Sequence, residues 1–313
     1  MNQTQLNAFR AVAEAGGFSK GADRLMVSQP AVSLQVAELE AYLGAKLFDR
    51  LPRGVRLTEA GQLVLGYSRR IAGLNTEAEQ AVRELLGLRS GRLVIGASLT
   101  VGSYVLPPVL GKFSNRFPGV ELKLEVANTE QIQRKLLDNE LDVGFTEGLA
   151  EHGELISQSF HADRLVPVSP PLHPILKHKR VTVEQFCRNP IILREQGSGT
   201  RAVIEQALAA KGISVRPVMS LGSTEAVKRA VMAGVGLALV SELSIETELK
   251  AGVLAVVVLS DLQIRRPLHQ VELKGKARGF ASREFLQMLT DQFRTTAEEH
   301  ARGVRNKLRK PRG

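Results

Sequence analysis

The sequence holds a single cysteine in 313 residues, Cys187. That count excludes an internal disulfide and a cysteine-based zinc site, and Cys187 reads as a small apolar filler. Nor is there a run of the roughly 18 apolar residues that a membrane-spanning helix needs. The opening residues, MNQTQLNAFRAVAEAGG, lack a basic segment followed by an apolar core, so no secretory signal is read there and the expected location is cytoplasmic. Metal-ligand spacing, a glycine-rich nucleotide fingerprint and a Ser-His-Asp set are missing as well. The six histidines (His152, His161, His173, His178, His269 and His300) fall mostly in expected loops or among charges, where surface roles are expected. No catalytic residue, metal ligand or cofactor is therefore assigned.

What is abundant is positive charge. Net charge is +10, but residues 1–89 hold 11 Lys/Arg against 9 Asp/Glu, whereas residues 301–313 hold six basic residues and no acid. More than half the excess thus belongs to a C-terminal tail, which reads as a solvated end. Length argues for two or three domains, at about 100 to 200 residues each.

The first ninety residues carry the clearest pattern. Ser19 is placed to cap a short helix through Leu25, Met26 and Val27 break it, and Ser28 is placed to cap the next. Pro30 falls in that helix's first turn, where its missing N–H loses no helical bond. Val32, Val36, Leu39 and Leu43 then recur at helical spacing and predict a buried stripe packed on Leu25, Phe9 and Val12. A rotation of about 100° per residue puts Pro30, Ser33, Leu34, Ala37 and Ala41 outward, a small uncharged face shaped to enter a major groove behind Ser28 and Gln29. Phosphate attraction is assigned to the flanks, chiefly Lys46, Arg50, Arg53 and Arg56 with Lys20 and Arg24. The segment 47–58 reads as two short extended pieces joined at 52–54. Alone it is a loop with solvated arginines; beside a helix-turn-helix it is a wing.

Thr58 is placed to cap a long helix. Ala60, Val64, Tyr67, Ile71, Leu74, Ala78, Ala81, Leu85 and Leu88 recur at alternating four- and three-residue steps, an apolar seam of period 3.5 that asks for a partner helix. The alternative is a surface helix packed on the next domain. A dimer suits a reader of two-fold symmetric DNA.

Beyond residue 91 short apolar strands alternate with amphipathic helices. Strands are expected at 93–97, 120–126, 141–145, 165–168, 191–193, 217–220, 237–240 and 268–273, and helices at 101–117, 129–137, 200–210, 223–233 and 282–298, an α/β pattern with crossovers. The pair Pro107-Pro108 should kink the first of these helices or delay its regular start. Ser98-Leu99-Thr100, Asn128-Thr129-Glu130, Gly197-Ser198-Gly199-Thr200-Arg201 and Ser223-Thr224 put hydroxyls and amides at strand carboxyl ends, where open α/β sheets bind ligands and helix N-termini favour anions. Each hydroxyl taken separately reads first as a helix cap, and only several converging from two lobes would make a pocket.

The stretch FSKGADRLMVSQPAVSLQVAELEAYLGAKLFDR followed by LPRGVRLTEAG resembles the LysR-type transcriptional regulators. So do RLVIGASLTVGSYVLPPVLGKFSNRFPGVEL, NTEQIQRKLLDNELDVGFTEG, REQGSGTR and GSTEAVKRAVMAGVGLALVSEL, so that the resemblance runs to about Phe293. Among subgroups, NTEQI and QGSGTR look most like regulators of sulfur assimilation and carbon fixation. The resemblance implies an all-α winged helix-turn-helix (1–58), a linker or dimerisation helix (59–89) and an α/β two-lobed, periplasmic-binding-protein-like effector domain (91–300). Its first lobe is 91–161 with 268–300, its second is 162–267, and the basic tail is 301–313. Ser28, Gln29, Pro30 and Ser33 match the recognition-helix contact, and Arg50 and Arg53 match residues that grip the backbone or minor groove. Leu34 and Ala37 depart from the basic or polar residues of many members, and Pro30 and Leu34 are expected to pack on thymine methyl groups instead. Effector contacts carried over are Ser98, Thr100, Thr129 and Thr146 on the first lobe and Ser198, Thr200 and Thr224 on the second. The implied protein activates or represses promoters as a dimer or tetramer on double-stranded DNA, answers a small anionic metabolite, and engages RNA polymerase. The alternatives are a cytosolic enzyme or a solute-binding protein of binding-protein-like fold, the latter needing export.

Overall fold

Asn2 starts the first helix, α1 (Gln3–Ala15), as a capping box: its side chain accepts from the Gln5 amide, and Gln5 reaches back to the Asn2 amide. The computed structural model describes residues 1–51, 54–85, 91–148 and 152–308. The chain divides into two compact units, residues 1–82 with 138–140 and residues 83–137 with 141–313.

In the first unit α1 is followed by α2 (Phe18–Leu25) and α3 (Gln29–Leu43). Ser19 does not cap α2: the N-cap is Gly17, without a side-chain bond, so the helix starts two residues earlier than the serine suggests. Met26, in the left-handed region at φ 54°, makes the break. Ser28 caps α3 as expected, accepting from the Ala31 amide. Val32, Val36 and Leu39 are buried with Phe9, Val12, Leu47 and Phe48. Leu25 and Leu43, expected in that stripe, are exposed at the helix ends. Strands β1 (Phe48–Arg50) and β2 (Val55–Leu57) pair antiparallel, Phe48 opposite Leu57, and build the wing. Gly54 turns it at φ 85°, where a Cβ would also fall 2.8 Å from the Gly16 carbonyl oxygen. Thr58 caps α4 (Glu59–Leu85) by accepting from the Gly61 amide. Leu88, the last residue of the expected seam, lies outside the described residues.

The second unit opens with β3 (Gly91–Ser98). As the proline pair foretold, regular helix is delayed: a π-turn spans Val101–Val105 before α5 (Pro107–Arg116). Then follow β4 (Val120–Ala127), α6 (Thr129–Leu137), β5 (Val143–Thr146) and β6 (Leu155–Ser169). After β6 come α7 (Val183–Cys187), β7 (Ile192–Arg194), α8 (Gly199–Ala209), β8 (Met219–Leu221), α9 (Thr224–Met232), β9 (Ala238–Ser241), α10 (Glu246–Lys250) and β10 (Ala255–Val256). β11 (Ile264–Leu273) and α11 (Phe280–Leu308) are the last elements among the described residues.

One seven-stranded sheet runs in the order β10-β6-β11-β5-β3-β4, with β9 also on β6. β3 lies parallel to both β4 and β5, while β6 and β11 are antiparallel over ten pairs from Ile264 opposite Leu165 to Leu273 opposite Leu155. These two strands pass from one apolar core to another. The first core gathers Leu93, Ile95, Phe113, Phe145, Leu268 and Phe285. The second gathers Leu165, Phe186, Leu193, Ile204, Leu239 and Ile264. β6 is far longer than the expected strand at 165–168, because its polar first half, exposed on most of its residues, is held by β11 rather than by apolar burial.

Candidate nucleic-acid interface and effector cleft

On α3 the buried stripe fixes which face looks outward. Ser28, Gln29, Pro30, Leu34 and Ala37 are exposed and Ser33 is half-buried, with Leu34 showing 57% of its surface. Gln29 donates to the Ser33 hydroxyl at 2.8 Å, so two of the polar groups on this face are oriented together. The cations expected on the flanks are present, but several hold carboxylates: Arg56 meets Asp49 at 3.3 Å, Lys46 meets Glu40 at 2.7 Å and Arg24 meets Glu14 at 3.2 Å. The Arg56 and Arg24 pairs are exposed enough to be worth about 0 to 1 kcal/mol, so a phosphate can replace the carboxylate at little cost. Arg50 closes β1, and Arg53 lies outside the described residues.

Glu40 joins the recognition helix to the wing. One carboxylate oxygen accepts the Leu47 amide at 2.9 Å and the Phe48 amide at 3.4 Å, and the other takes Lys46. Burial would raise its pKa, but Lys46 and the two amides outweigh burial and hold it below the usual carboxylate range.

In the second unit the seven hydroxyls expected at the effector site are all buried. Three of them, Thr100, Thr129 and Thr200, are joined through two charged groups that the sequence pattern does not single out, Arg266 and Glu147. Arg266 of β11 is 2% exposed and sits between the two apolar cores. Its guanidinium binds Asp163 of β6, from Nε at 2.8 Å and from Nη2 at 2.6 Å. Nη1 donates to the Thr200 hydroxyl at 2.8 Å and Nη2 to the Thr100 hydroxyl at 3.3 Å. Asp163 also accepts from Ser241 at 2.9 Å, so both of its carboxylate oxygens are hydrogen-bonded.

Thr129 donates to Glu147 at 3.4 Å, and the Thr100 amide donates to the same carboxylate at 3.2 Å. The start of α6 meets the start of α8 directly: the Glu130 amide donates to the Gly197 carbonyl at 3.2 Å. A Cβ on Gly199 would fall 2.6 Å from the Thr129 hydroxyl. Beside this contact lies a cavity of about 480 Å³ lined in part by Thr129, Arg134, His152, Ser198 and Arg201.

Ser198 serves as the N-cap of α8. Thr224 accepts from Arg194 at 3.2 Å and Thr146 donates to the Gly148 carbonyl at 3.0 Å; neither shares a bond with Arg266 or Glu147. The Ser98 hydroxyl has no hydrogen-bond partner. Two histidines depart from the surface role expected of them. His161 of β6 is half-buried against Phe293 and His269 of β11 is buried, and burial lowers both pKa values, opposed at His161 by Asp163. Among the described residues no cluster of three metal-ligating side chains occurs, and no helix is long and apolar enough to cross a membrane.

Arg266 was legible after all, since Ile264, Arg266 and Leu268 alternate on one buried face of their strand. Glu147 carries no such signal, following directly on the end of β5.

Residues 3–62 match the model of the bacterial regulatory helix-turn-helix protein of the lysR family, and residues 86–294 match the LysR substrate binding domain. The chain belongs to the LysR family. Its relatives include the HTH-type transcriptional activator CmpR of Synechocystis, 32% identical over 285 residues that cover 91% of this chain and 93% of that one. Another is the RuBisCO operon transcriptional regulator of Allochromatium vinosum, 35% identical over 87% of this chain and 90% of the relative. Among solved structures, the Synechocystis CcmR regulatory domain in complex with 2-PG matches with a TM-score of 0.61 at 29% identity, over 65% of this chain and 98% of that one. Full-length CbnR complexed with its target DNA matches over 94% of this chain and 99% of its own length, with a TM-score of 0.66 at 24% identity. The LysR chain is thus a DNA-binding transcriptional regulator with an effector domain, and the enzyme and solute-binding alternatives are set aside. Of the two subgroups expected, the RuBisCO operon regulator stands on the carbon-fixation side.

Proposed function

We propose that this regulator binds two-fold symmetric promoter DNA through α3 and the wing, as a dimer formed along α4, and answers a small phosphorylated or carboxylated metabolite held between the lobes. One observation carries the effector half of this reading. A buried guanidinium, Arg266, ties a hydroxyl of each lobe, Thr100 and Thr200, so a ligand that engages these groups acts on both lobes at once. Through its different affinity for two lobe arrangements such a ligand shifts the placement of the DNA-reading helices. Ser98, Thr129, Thr146, Ser198 and Thr224 belong to the same site in this reading, and Arg50, Arg53 and Arg56 grip phosphates beside Ser28, Gln29, Pro30, Ser33 and Leu34.

Further steps of the proposal are a tetramer of two dimers, contact with RNA polymerase, and action in the cytoplasm. The 2-PG bound by the CcmR domain makes 2-phosphoglycolate the first metabolite to test. A footprint on the promoter beside the regulator's own gene, with and without 2-phosphoglycolate, is expected to show a paired protection whose extent changes with ligand. Protection indifferent to a panel of phosphorylated and carboxylated metabolites, none of which raises the melting temperature, would reject the effector role. Replacing single operator thymines by uracil is expected to weaken binding where Pro30 and Leu34 pack; unchanged affinity at every position would remove that contact.

A further inference from the structure

Just after β5 the chain delivers a carboxylate into the donors assigned to the effector. Glu147 is 4% exposed. One of its oxygens accepts from the Thr100 amide at 3.2 Å and the other from the Thr129 hydroxyl at 3.4 Å. Thr129 stands at the first position of α6, a helix end that favours negative charge. Ser98, whose buried hydroxyl has no partner, closes β3 two residues before Thr100.

Charge bookkeeping singles Glu147 out. Around the cleft Arg266 is matched by Asp163, Arg194 by Glu195 and Arg201 by Glu205, each within 2.8 Å. Among the described residues no Lys, Arg or His lies within ion-pair distance of Glu147. A buried carboxylate satisfied only by neutral donors is costly, and it repels any second anion brought beside it.

We infer that Glu147 is a tethered competitor for the effector: its carboxylate occupies donors that an anionic ligand requires, and ligand binds by displacing it. The inference rests on the cleft being the effector site. It makes Glu147 the residue that selects among anions. A monocarboxylate offers these donors nothing that the tethered group does not already give, and pays the entropy of binding besides. A phosphate brings more charge and more acceptor oxygens, so it displaces Glu147 where acetate fails.

The test is calorimetric titration of the full-length protein with inorganic phosphate and with acetate, for the wild type, Glu147→Gln, Glu147→Ala and Thr100→Val. Glutamine loses the charge: its one carbonyl oxygen can still accept from the Thr100 amide, while its NH2 can only donate to the Thr129 hydroxyl. Both Glu147 variants are expected to bind phosphate at least tenfold more tightly, with acetate binding becoming measurable in Glu147→Ala. Phosphate affinity unchanged or weakened in both variants overturns the inference, provided each melts cooperatively; should Glu147→Ala fail to fold, Glu147→Gln alone decides. If Thr100→Val abolishes phosphate binding while Glu147→Gln gains nothing, the cleft stands as the effector site and only the competitor falls. If neither substitution moves phosphate affinity, both readings fall.

Discussion

Single side chains set the terms of this molecule most sharply where charge is buried. With Arg266 and Asp163 both withdrawn from solvent, removing one partner strands the other. Arg266→Met is therefore expected to destabilise the effector domain by about 3 to 5 kcal/mol. Adding Asp163→Asn to that variant should recover part of the loss, because the stranded charge is gone; urea denaturation of the three proteins measures both steps. Glu40 is the corresponding anchor of the DNA-binding unit. Its folded pKa is depressed, so its contribution is complete above the unfolded value of about 4.3 and is lost as pH falls through the lower folded value. Glu40→Gln should cost about 1 to 3 kcal/mol at pH 7, as expected for hydrogen bonds to a charged group. The difference from wild type should shrink on acidification, and thermal melts across a pH series check both its size and its sign.

At the scale of elements, α4 shows how one apolar stripe is divided between two tasks. Ala60, Val64 and Ile71 pack against the helix-turn-helix core, whereas Tyr67 and Leu74 stand 58% and 60% exposed. The period of 3.5 predicted the stripe but not this division, since periodicity records which residues are apolar and not what covers each of them. Leu74→Asp should leave the unfolding of the DNA-binding unit within about 0.5 kcal/mol, as for an exposed site. It is expected to shift the protein toward monomer in sedimentation velocity and to weaken operator binding. The close approach of α6 and α8 supplies a second test. Gly199→Ala places a methyl 2.6 Å from the Thr129 hydroxyl and 3.2 Å from the Gly148 amide nitrogen. It should loosen that contact, lower the melting temperature of the effector domain and weaken its response to ligand. The helix-turn-helix was readable because Ser28, Pro30 and the Val32, Val36, Leu39 stripe are local signals that agree with one another. The cleft was less so. Asp163 and Arg266 are 103 residues apart, and only the antiparallel register of β6 and β11 makes them partners. The polar half of β6 carries no apolar alternation, which is why a short strand was expected there.

For the whole molecule, the basic end and the shared sheet have different consequences. Replacing the six basic residues of 301–313 by glutamine should weaken binding to operator and random DNA by the same factor and leave their ratio unchanged, because phosphate attraction is blind to sequence. Gel shifts at several salt concentrations read both quantities; a changed ratio would give the tail a part in sequence choice. The sheet matters for transmission. Because β6 and β11 each belong to both cores and stay paired throughout, the lobes are joined by a continuous ribbon whose register shifts once, between Leu268 and His269. On the effector reading proposed above, such a joint is expected to act as a leaf spring that resists sliding, permits a small flexure near the irregularity and returns when the load is lifted, so that a metabolite's departure would reset the regulator without any other force.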